Sequence, residues 1–313
     1  MPRTKTVRPS HLFHSILCPV DFSGHSATAL RYAATVAGRS EARLHALYVN
    51  DPLLVAAAAV ALNDRELVSV ALAELRTFVA SAVSARSTGP TVGCIVETGD
   101  PARLIASTAQ RLKCDLVVMG THGLSGVDKL IIGSTTERML RRTSLPLLAV
   151  PPTPPGAGGT SALPRSWPGP AIMAPVDLRE QSRRDVRDAE TIARAFGAKL
   201  VLVHVIPEFQ PPPWFQADLS ARWRIRVAKA QQDLESLAKA AGAGLATESR
   251  VLTGNPPDEI AAAAAEKRIG LVVMHLRKGP GFFGSRAGSI AAHVLQHAVT
   301  PVLALPDLAK GNF

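Results

Sequence analysis

The sequence predicts an α/β protein of two tandem domains, each a parallel sheet with helices on both faces. Three observations predict it. The chain repeats itself at a constant offset: LVVM at 116–119 returns at 271–274, Asp21 returns as Asp177, Thr98 as Thr253 and Pro146 as Pro301, always 155 or 156 residues on. A drift of one residue over the whole repeat means a duplicated unit with almost no net insertion. Within each copy, short apolar runs alternate with longer runs of helical period, and largely apolar strands joined by helices form a parallel sheet buried on both sides. Between the copies lies PPTPPGAGGTSALPRSWPGP, residues 151–170, whose Pro and Gly suit neither a helix nor an interior strand. It reads as a linker, giving domains over 1–152 and 171–313 joined by 153–170.

In the first copy, Ser15–Val20 is an apolar strand. Ser26–Gly38 has helical spacing and is expected to end at its glycine. Arg43–Val49 is a strand, and Asp64–Arg86 is a helix with Leu67, Val70, Leu75, Phe78 and Val79 at helical intervals. Thr91–Glu97 is a strand. Asp100-Pro101 then opens a helix, with Asp as the N-cap and Pro at the first helical position, and Asn255-Pro256 repeats that start in the second copy. Asp115–Met119, Ser134–Arg142 and Pro146–Val150 complete a βαβαβαβαβ order, which implies right-handed crossovers and a doubly wound sheet.

Composition excludes several function classes. Apolar residues make up 47% of the chain, enough for two cores. The net charge of +10 is divided evenly, with 16 Lys+Arg against 11 Asp+Glu in 1–152 and 19 against 14 in the remainder. No basic block is dense enough for a nucleic-acid arm; Arg222-Trp223-Arg224-Ile225-Arg226 comes nearest and reads as a solvated helix face. Aromatics, at 4%, are too few for a base-stacking platform. The three cysteines, Cys18, Cys94 and Cys114, are far apart with no Cys-x-x-Cys, which fits a reduced, cytoplasmic protein. The N-terminus lacks the long apolar stretch of a secretory signal, and the longest apolar run, 52–62, is too short to span a bilayer, so no membrane partner is expected.

Ligands of a doubly wound sheet sit outside the carboxyl ends of the strands, where the strand order reverses. Asp21 follows the first strand in Pro19-Val20-Asp21-Phe22-Ser23; its carboxylate suits a ribose hydroxyl or base amine, or equally a helix N-terminal turn. Gly120 and Gly123 follow the strand ending in Met119, where glycine lets backbone approach a phosphate and permits positive φ; an ordinary turn is the alternative. Gly133-Ser134-Thr135 opens the next helix, where free N–H groups, the helix dipole and two hydroxyls favour an anion, or simply cap the helix. Val49, at the end of the second strand, is either core or the wall of a flat slot. His122 lies inside the glycine loop and reads as a positioning residue, not an acid or base.

Taken together, Gly-x2-Gly-x9-Gly-Ser after a buried strand, the Pro-Val-Asp-Phe-Ser start, Gly-Thr-His-Gly at 120–123 and the closing Leu-Pro-Leu-Leu-Ala-Val resemble the universal stress protein family. The resemblance covers nearly all of both halves. It implies two Rossmann-like (adenine nucleotide α-hydrolase-like) domains, each with a five-stranded parallel sheet, often paired through the last strand. A tandem chain can form that pair internally, with a homodimer of whole chains as a further option. It implies ATP as the cofactor, with or without Mg²⁺. Asp21 would stand at the ribose or base and Val49 beside the adenine, and Gly120, Gly123, Gly133 and Ser134 would hold the phosphates. Pro19, Met119 and Thr135 are counted among the cofactor-binding residues. Family members are mainly regulators, so no catalytic residue is assigned and at most a slow ATPase is expected; a nucleotide-free scaffold is the remaining reading. ATP is expected to order the 120–133 loop and so change partner contacts. Besides Asp21, only Asp128 in the loop is a candidate acid for Mg²⁺, and no metal site is assigned.

The second copy departs from this pattern. His275 and Lys278 stand where the first copy has Gly120 and Gly123, while Asp177 and Gly288-Ser289 remain. Side chains there are expected to occupy the room phosphates need, leaving a degenerate nucleotide loop; Arg277 and Lys278 holding an anion by charge is the alternative. There is no Gly-x4-Gly-Lys-Ser/Thr, so a P-loop is excluded. Gly279 to Gly284 matches Gly-x-Gly-x-x-Gly but lacks a following acidic partner. His293 and His297 are spaced i, i+4, with Val294 where a zinc protease needs glutamate.

Overall fold

The computed structural model describes residues 12–58, 64–83, 90–122, 132–142, 144–152, 167–208, 220–242, 244–266, 268–276 and 290–306. Among these the chain divides into two compact units. The first runs β1 (Ser15–Val20), α1 (Gly24–Ser40), β2 (Arg43–Asn50), α2 (Pro52–Ala58), α3 (Asp64–Val83), β3 (Val92–Thr98), α4 (Pro101–Arg111), β4 (Leu116–Gly120), α5 (Ser134–Arg142) and β5 (Leu147–Val150). Its strand order is β3-β2-β1-β4-β5 and the pairs are parallel, with Ser15 opposite Arg43 and Ile16 opposite Leu116. Helices α1 and α3 pack on one another, as do α4 and α5. The strand order reverses between β1 and β4, which opens a crevice at their carboxyl ends.

The second unit runs β6 (Ala171–Pro175), α6 (Ser182–Phe196), β7 (Lys199–Pro207), α7 (Ser220–Ala240), β8 (Thr247–Gly254), α8 (Pro256–Ala264), β9 (Ile269–Leu276), α9 (Ile290–His297) and β10 (Val302–Pro306). Its order, β8-β7-β6-β9-β10, repeats that of the first unit. In both, the central strands are buried on each face: Ile16, Leu17 and Cys18 in β1 and Ile172 and Val272 in β6 and β9 are at 0% exposure. Each such side chain contributes about 1.5–3 kcal/mol, and burial pushes the Cys18 thiol far above its ordinary value.

Local chemistry explains the boundaries. Ser23 caps α1, its hydroxyl accepting from the Ser26 N–H at 3.1 Å. The helix does not stop at Gly38 as expected. It continues to Ser40 because Ala37 and Ser40 are buried beneath it, and it ends in a Schellman closure: Glu41 at φ 54° with the Ala42 N–H donating to the Ala37 carbonyl at 2.9 Å. Gly197 takes the same position after α6, at φ 65°. Helix α2 is an element the sequence reading passed over, although Asp51-Pro52 carries the same start as Asp100-Pro101; Asp51 accepts from the Leu53 N–H at 2.8 Å. Helix α4 begins as expected, with Asp100 accepting from the Arg103 N–H at 2.9 Å.

One position shows how the units diverge while keeping their register. Asp115 receives the backbone N–H groups of His14 and Ser15 at the start of β1, at 2.8–3.1 Å. Its counterpart, Gly270, instead lies against the Trp167-Pro168 backbone: a Cβ there would stand 1.7 Å from the Pro168 carbonyl oxygen, and the Trp167 indole donates to the Gly270 carbonyl at 2.7 Å.

Candidate functional site

In the first unit, β1 delivers Pro19 and Val20 to the crevice and then turns sharply. Phe22 sits at φ 63°, which costs a residue with a Cβ roughly 1–2 kcal/mol. Ring packing offsets it, with centroids 4.5 Å from Tyr48 and 5.4 Å from Phe78. The turn folds Asp21 back over α1, where its Oδ1 accepts from the Ser23 N–H at 3.1 Å and the Ser23 hydroxyl at 2.6 Å. One Asp21 oxygen thus organises the helix N-terminal turn, and the residue also lines the crevice.

Strand β2 supplies the neighbouring wall. It ends at Asn50, one residue beyond expectation, with Tyr48 and Val49 facing the crevice. Burial, then the charges of Asp21 and Asp51, hold the Tyr48 hydroxyl above its ordinary value. Strand β4 brings Met119, buried, and Gly120. Gly120 is not in the left-handed region, so positive φ is not why a glycine stands there. Close approach is the reason: a Cβ would lie 3.1 Å from the His122 carbonyl oxygen and 3.6 Å from the His25 backbone.

Gly133 precedes α5. Its carbonyl accepts the first helical bond, from the Glu137 N–H at 2.9 Å, so the Ser134, Thr135 and Thr136 N–H groups have no partner within the helix. The Thr136 hydroxyl donates to the Gly120 carbonyl at 2.8 Å and fixes α5 to β4. The helix dipole adds to these N–H groups, and together they favour an anion. Behind them Arg138 grips Asp100 with two bonds, at 2.7 and 3.0 Å, joining α5 to the start of α4. That hydrogen bonding holds the Asp100 carboxyl below its ordinary range. His122 stands 2.9 Å from the Thr121 hydroxyl with its ring 6.1 Å from His25. Burial, with His25 beside it, lowers its pKa and favours the neutral ring.

Pro19, Asp21, Val49, Met119, Gly120, Gly133, Ser134 and Thr135 all line one cavity of about 350 Å³, within the range of small-molecule sites. Gly123 and Asp128 lie outside the described residues. Tyr48, Pro101, Ile105 and Thr136 line it too; the sequence reading missed them, although Pro101 and Ile105 share a helix face at i, i+4.

The second unit keeps the frame of this site and changes its chemistry. Leu178 repeats the left-handed turn at φ 58°, and Asp177 accepts from the Arg179 N–H at 3.1 Å and the Ser182 hydroxyl at 3.0 Å. His204 replaces Tyr48, with its Nδ1 2.7 Å from the Val176 carbonyl oxygen. His275 replaces Gly120, and its ring sits 2.9 Å from Asp188 and 3.4 Å from Asp185, both on α6. The imidazole does not fill the space. A cavity of about 560 Å³ remains, lined by Asp177, Asp185, His204 and His275 among apolar residues. Arg277, Lys278, Gly288-Ser289 and the Gly279–Gly284 motif lie outside the described residues. His293 bonds Asp258 at 2.9 Å and stacks on His297 at 4.1 Å. No group of three or more His, Cys, Asp or Glu side chains suited to a metal occurs among the described residues, and no described helix is long and apolar enough to cross a membrane.

The family model described as the universal stress protein family matches residues 12–151 and again 170–306. A universal stress protein of Mycolicibacterium smegmatis is 25% identical over 305 residues, covering 93% of this chain and 96% of its own. Universal stress protein MJ0531 of Methanocaldococcus jannaschii is 31% identical over 144 residues, 45% of this chain and 83% of its own. In fold, the chain is similar to a universal stress protein from Archaeoglobus fulgidus (TM-score 0.64, 19% identity, covering 93% of this chain and 98% of that one). It is equally similar to PA1789 of Pseudomonas aeruginosa, described as functionally unknown (TM-score 0.64, 19% identity, 95% and 93% covered).

Proposed function

We propose, from the premise that this chain belongs to the universal stress protein family, that its first unit binds an adenine nucleotide, ATP above all, and acts as a stress-response regulator. The observation that carries the reading is convergence: the Asp21 turn and the open N-terminus of α5 face one cavity across the β1/β4 crevice. A polyanion fits the α5 end, where three N–H groups lack helical partners and the Ser134 and Thr135 hydroxyls stand beside them. A ribose or base fits the other end, where the Asp21 carboxylate lines the cavity and Tyr48 and Val49 supply a wall. Gly120 gives the backbone its close approach. Neutral His122 adds a polar group without a fixed charge. Mg²⁺ would enter with the nucleotide, since the described residues offer no preformed acidic cage.

The test is calorimetric titration of the purified chain with ATP. One site per chain is expected, and Gly120→Lys should weaken it at least a hundredfold while leaving the melting curve cooperative. Absence of binding in the unaltered chain, or an unchanged affinity in the variant, would overturn the reading. We further propose a cytoplasmic setting and pairing of the two domains within one chain, with a homodimer of whole chains as a further option that light scattering would detect as two chains per particle.

A further inference from the structure

The outer strands of the two units differ in what guards them. Among the described strands, β3 hydrogen-bonds only to β2, and β8 only to β7. An outer strand presents a row of unpaired N–H and C=O groups, and proteins blunt such an edge with charged side chains or a proline. Strand β8 is blunted in this way. Glu248 binds Lys199 at 2.5 Å and Arg250 at 2.6 Å, and Glu266 binds Arg250 at 2.6 Å and Arg268 at 2.9 Å. At the same places, 155 residues earlier, β3 has Gly93 for Glu248 and Ile95 for Arg250. From Val92 to Val96 it carries no charge and no proline. The second unit shows that the fold accepts charged, well-held side chains at this register, so the bare edge is not a demand of the fold.

Gly93 also uncovers a side chain. A Cβ there would stand 2.9 Å from Nδ1 of His45, its partner on β2. Glycine is thus what lets the His45 ring lean over the edge strand. Neither ring nitrogen of His45 forms a hydrogen bond among the described residues, and Nε2 is buried. Burial, then the charge of Arg43, hold the ring's pKa below its ordinary value, so it stands neutral with one N–H to give. Glu97 lies four residues along the same face of β3. Its Oε1 accepts from the Thr108 hydroxyl at 3.0 Å and from Arg111, and its Oε2 forms no hydrogen bond among the described residues.

We propose that β3 is a self-association edge, along which two copies of the chain pair antiparallel about a twofold axis at Ile95. Antiparallel pairing about a twofold is the closed arrangement open to two identical edges. With Ile95 opposite its own copy, Cys94 lies opposite Val96, and Gly93 lies opposite the second copy's Glu97. Side chains directly opposite on one face stand about 5 Å apart, and a twofold normal to the sheet keeps the faces matched. The second copy's Glu97 therefore comes over the gap at Gly93, with Oε2 toward the His45 N–H. Exposed Arg43 follows on the same face of β2. The contact is made twice in each pair. A second copy is the occupant because the edge is its own complement: the acidic end at Glu97 meets the open, basic end at Gly93 and Arg43 only when the strands run antiparallel. A strand of 7 residues spans roughly 23 Å, which is small beside a standard interface, so the association is weak and reversible.

This gives a homodimer of whole chains a definite place, and it does not rest on the nucleotide reading of the first unit. Light scattering of the full chain over a rising concentration series should show the mass moving from one chain toward two. I95R, which gives β3 the residue β8 carries there, should weaken association at least about tenfold. E97Q keeps the shape, removes the charge and should weaken it less. In C94S/I95C, mild oxidation should link two chains, since the remaining cysteines, Cys18 and Cys114, are buried. If I95R loses its cooperative melt, E97Q and the cross-link decide. The proposal is overturned if the chain stays single at every concentration, if I95R or E97Q associates as tightly as the unaltered chain, or if C94S/I95C yields no linked pair. ATP titration of I95R should match that of the unaltered chain. A chain that paired but bound no ATP would sink the nucleotide reading and leave this one standing.

Discussion

At the carboxyl end of its fourth strand the first unit carries Gly120, close to His122 and His25, and the second carries His275 against Asp185 and Asp188, where the first unit's helix has Ala29 and Tyr32. The surrounding frame is the same in both: the strand order, the left-handed residue after the aspartate, and the Pro-started helix at Pro101 or Pro256. The difference teaches that a duplicated sheet keeps what positions a site and can exchange what fills it. Glycine there admits the close approach of the His122 and His25 backbone. Histidine there must be held by partners, and the partners came as a set.

The comparison can be broken most sharply at Gly270. Because a Cβ would meet the Pro168 carbonyl oxygen at 1.7 Å, Gly270→Ala should destabilise the second unit by about 3 kcal/mol or more, seen as an early transition in a thermal melt. A melt identical to that of the unaltered chain would show that Pro168 can move aside. Copying the second unit into the first tests the site itself. G120H, made without the two aspartates, should lower ATP affinity about a hundredfold, or roughly 2.7 kcal/mol, and full affinity in that variant would show that the glycine is dispensable. Asp115→Ala should cost about 1–2 kcal/mol, by stripping the His14 and Ser15 N–H groups of their acceptor; denaturant unfolding measures it.

The smallest effect is expected at the α4–α5 tie. The Arg138–Asp100 pair is about 40% exposed on both sides, so solvent screens it and Arg138→Ala should lower the melting point only slightly. The hydrogen bonds from Arg138 lower the folded carboxyl's pKa. The tie's contribution is then fully present above the ordinary carboxylate range and lost as pH falls through the lower folded value. Melting points of Arg138→Ala and the unaltered chain should converge in acid; a constant gap down to pH 2 would place the stabilisation elsewhere. In the second unit the equivalent helices are tied by His293–Asp258 instead, so His293→Ala measured beside it tells whether the two ties are worth the same.

Much of the fold was legible in the chain. The constant repeat offset, the apolar strands and the Asp-Pro helix start each rest on local chemistry, so strand boundaries fall within a residue or two of expectation. What was misread depended on burial. Gly38 looked like a helix end, but Ala37 and Ser40 lie under the helix and draw it on to Glu41. At Gly120 the sequence allows close backbone approach or positive φ, and only the fold decides for close approach, by His122 and His25. The second unit's histidine looked like a plug. Its partners are on α6, some 90 residues earlier, and no local pattern links them.

By itself the sequence determined that there are two βαβαβαβαβ units, and which strand ends and helix starts carry the polar and glycine residues. Those follow from periodicity and capping, which act over a few residues. Only the tertiary structure decided that Asp21, Val49, Gly120 and Ser134 face one cavity and that His275 is paired with Asp185 and Asp188. Strand order and helix packing bring together residues far apart in the chain, and that proximity, not residue type, sets which groups share a ligand and which neutralise each other.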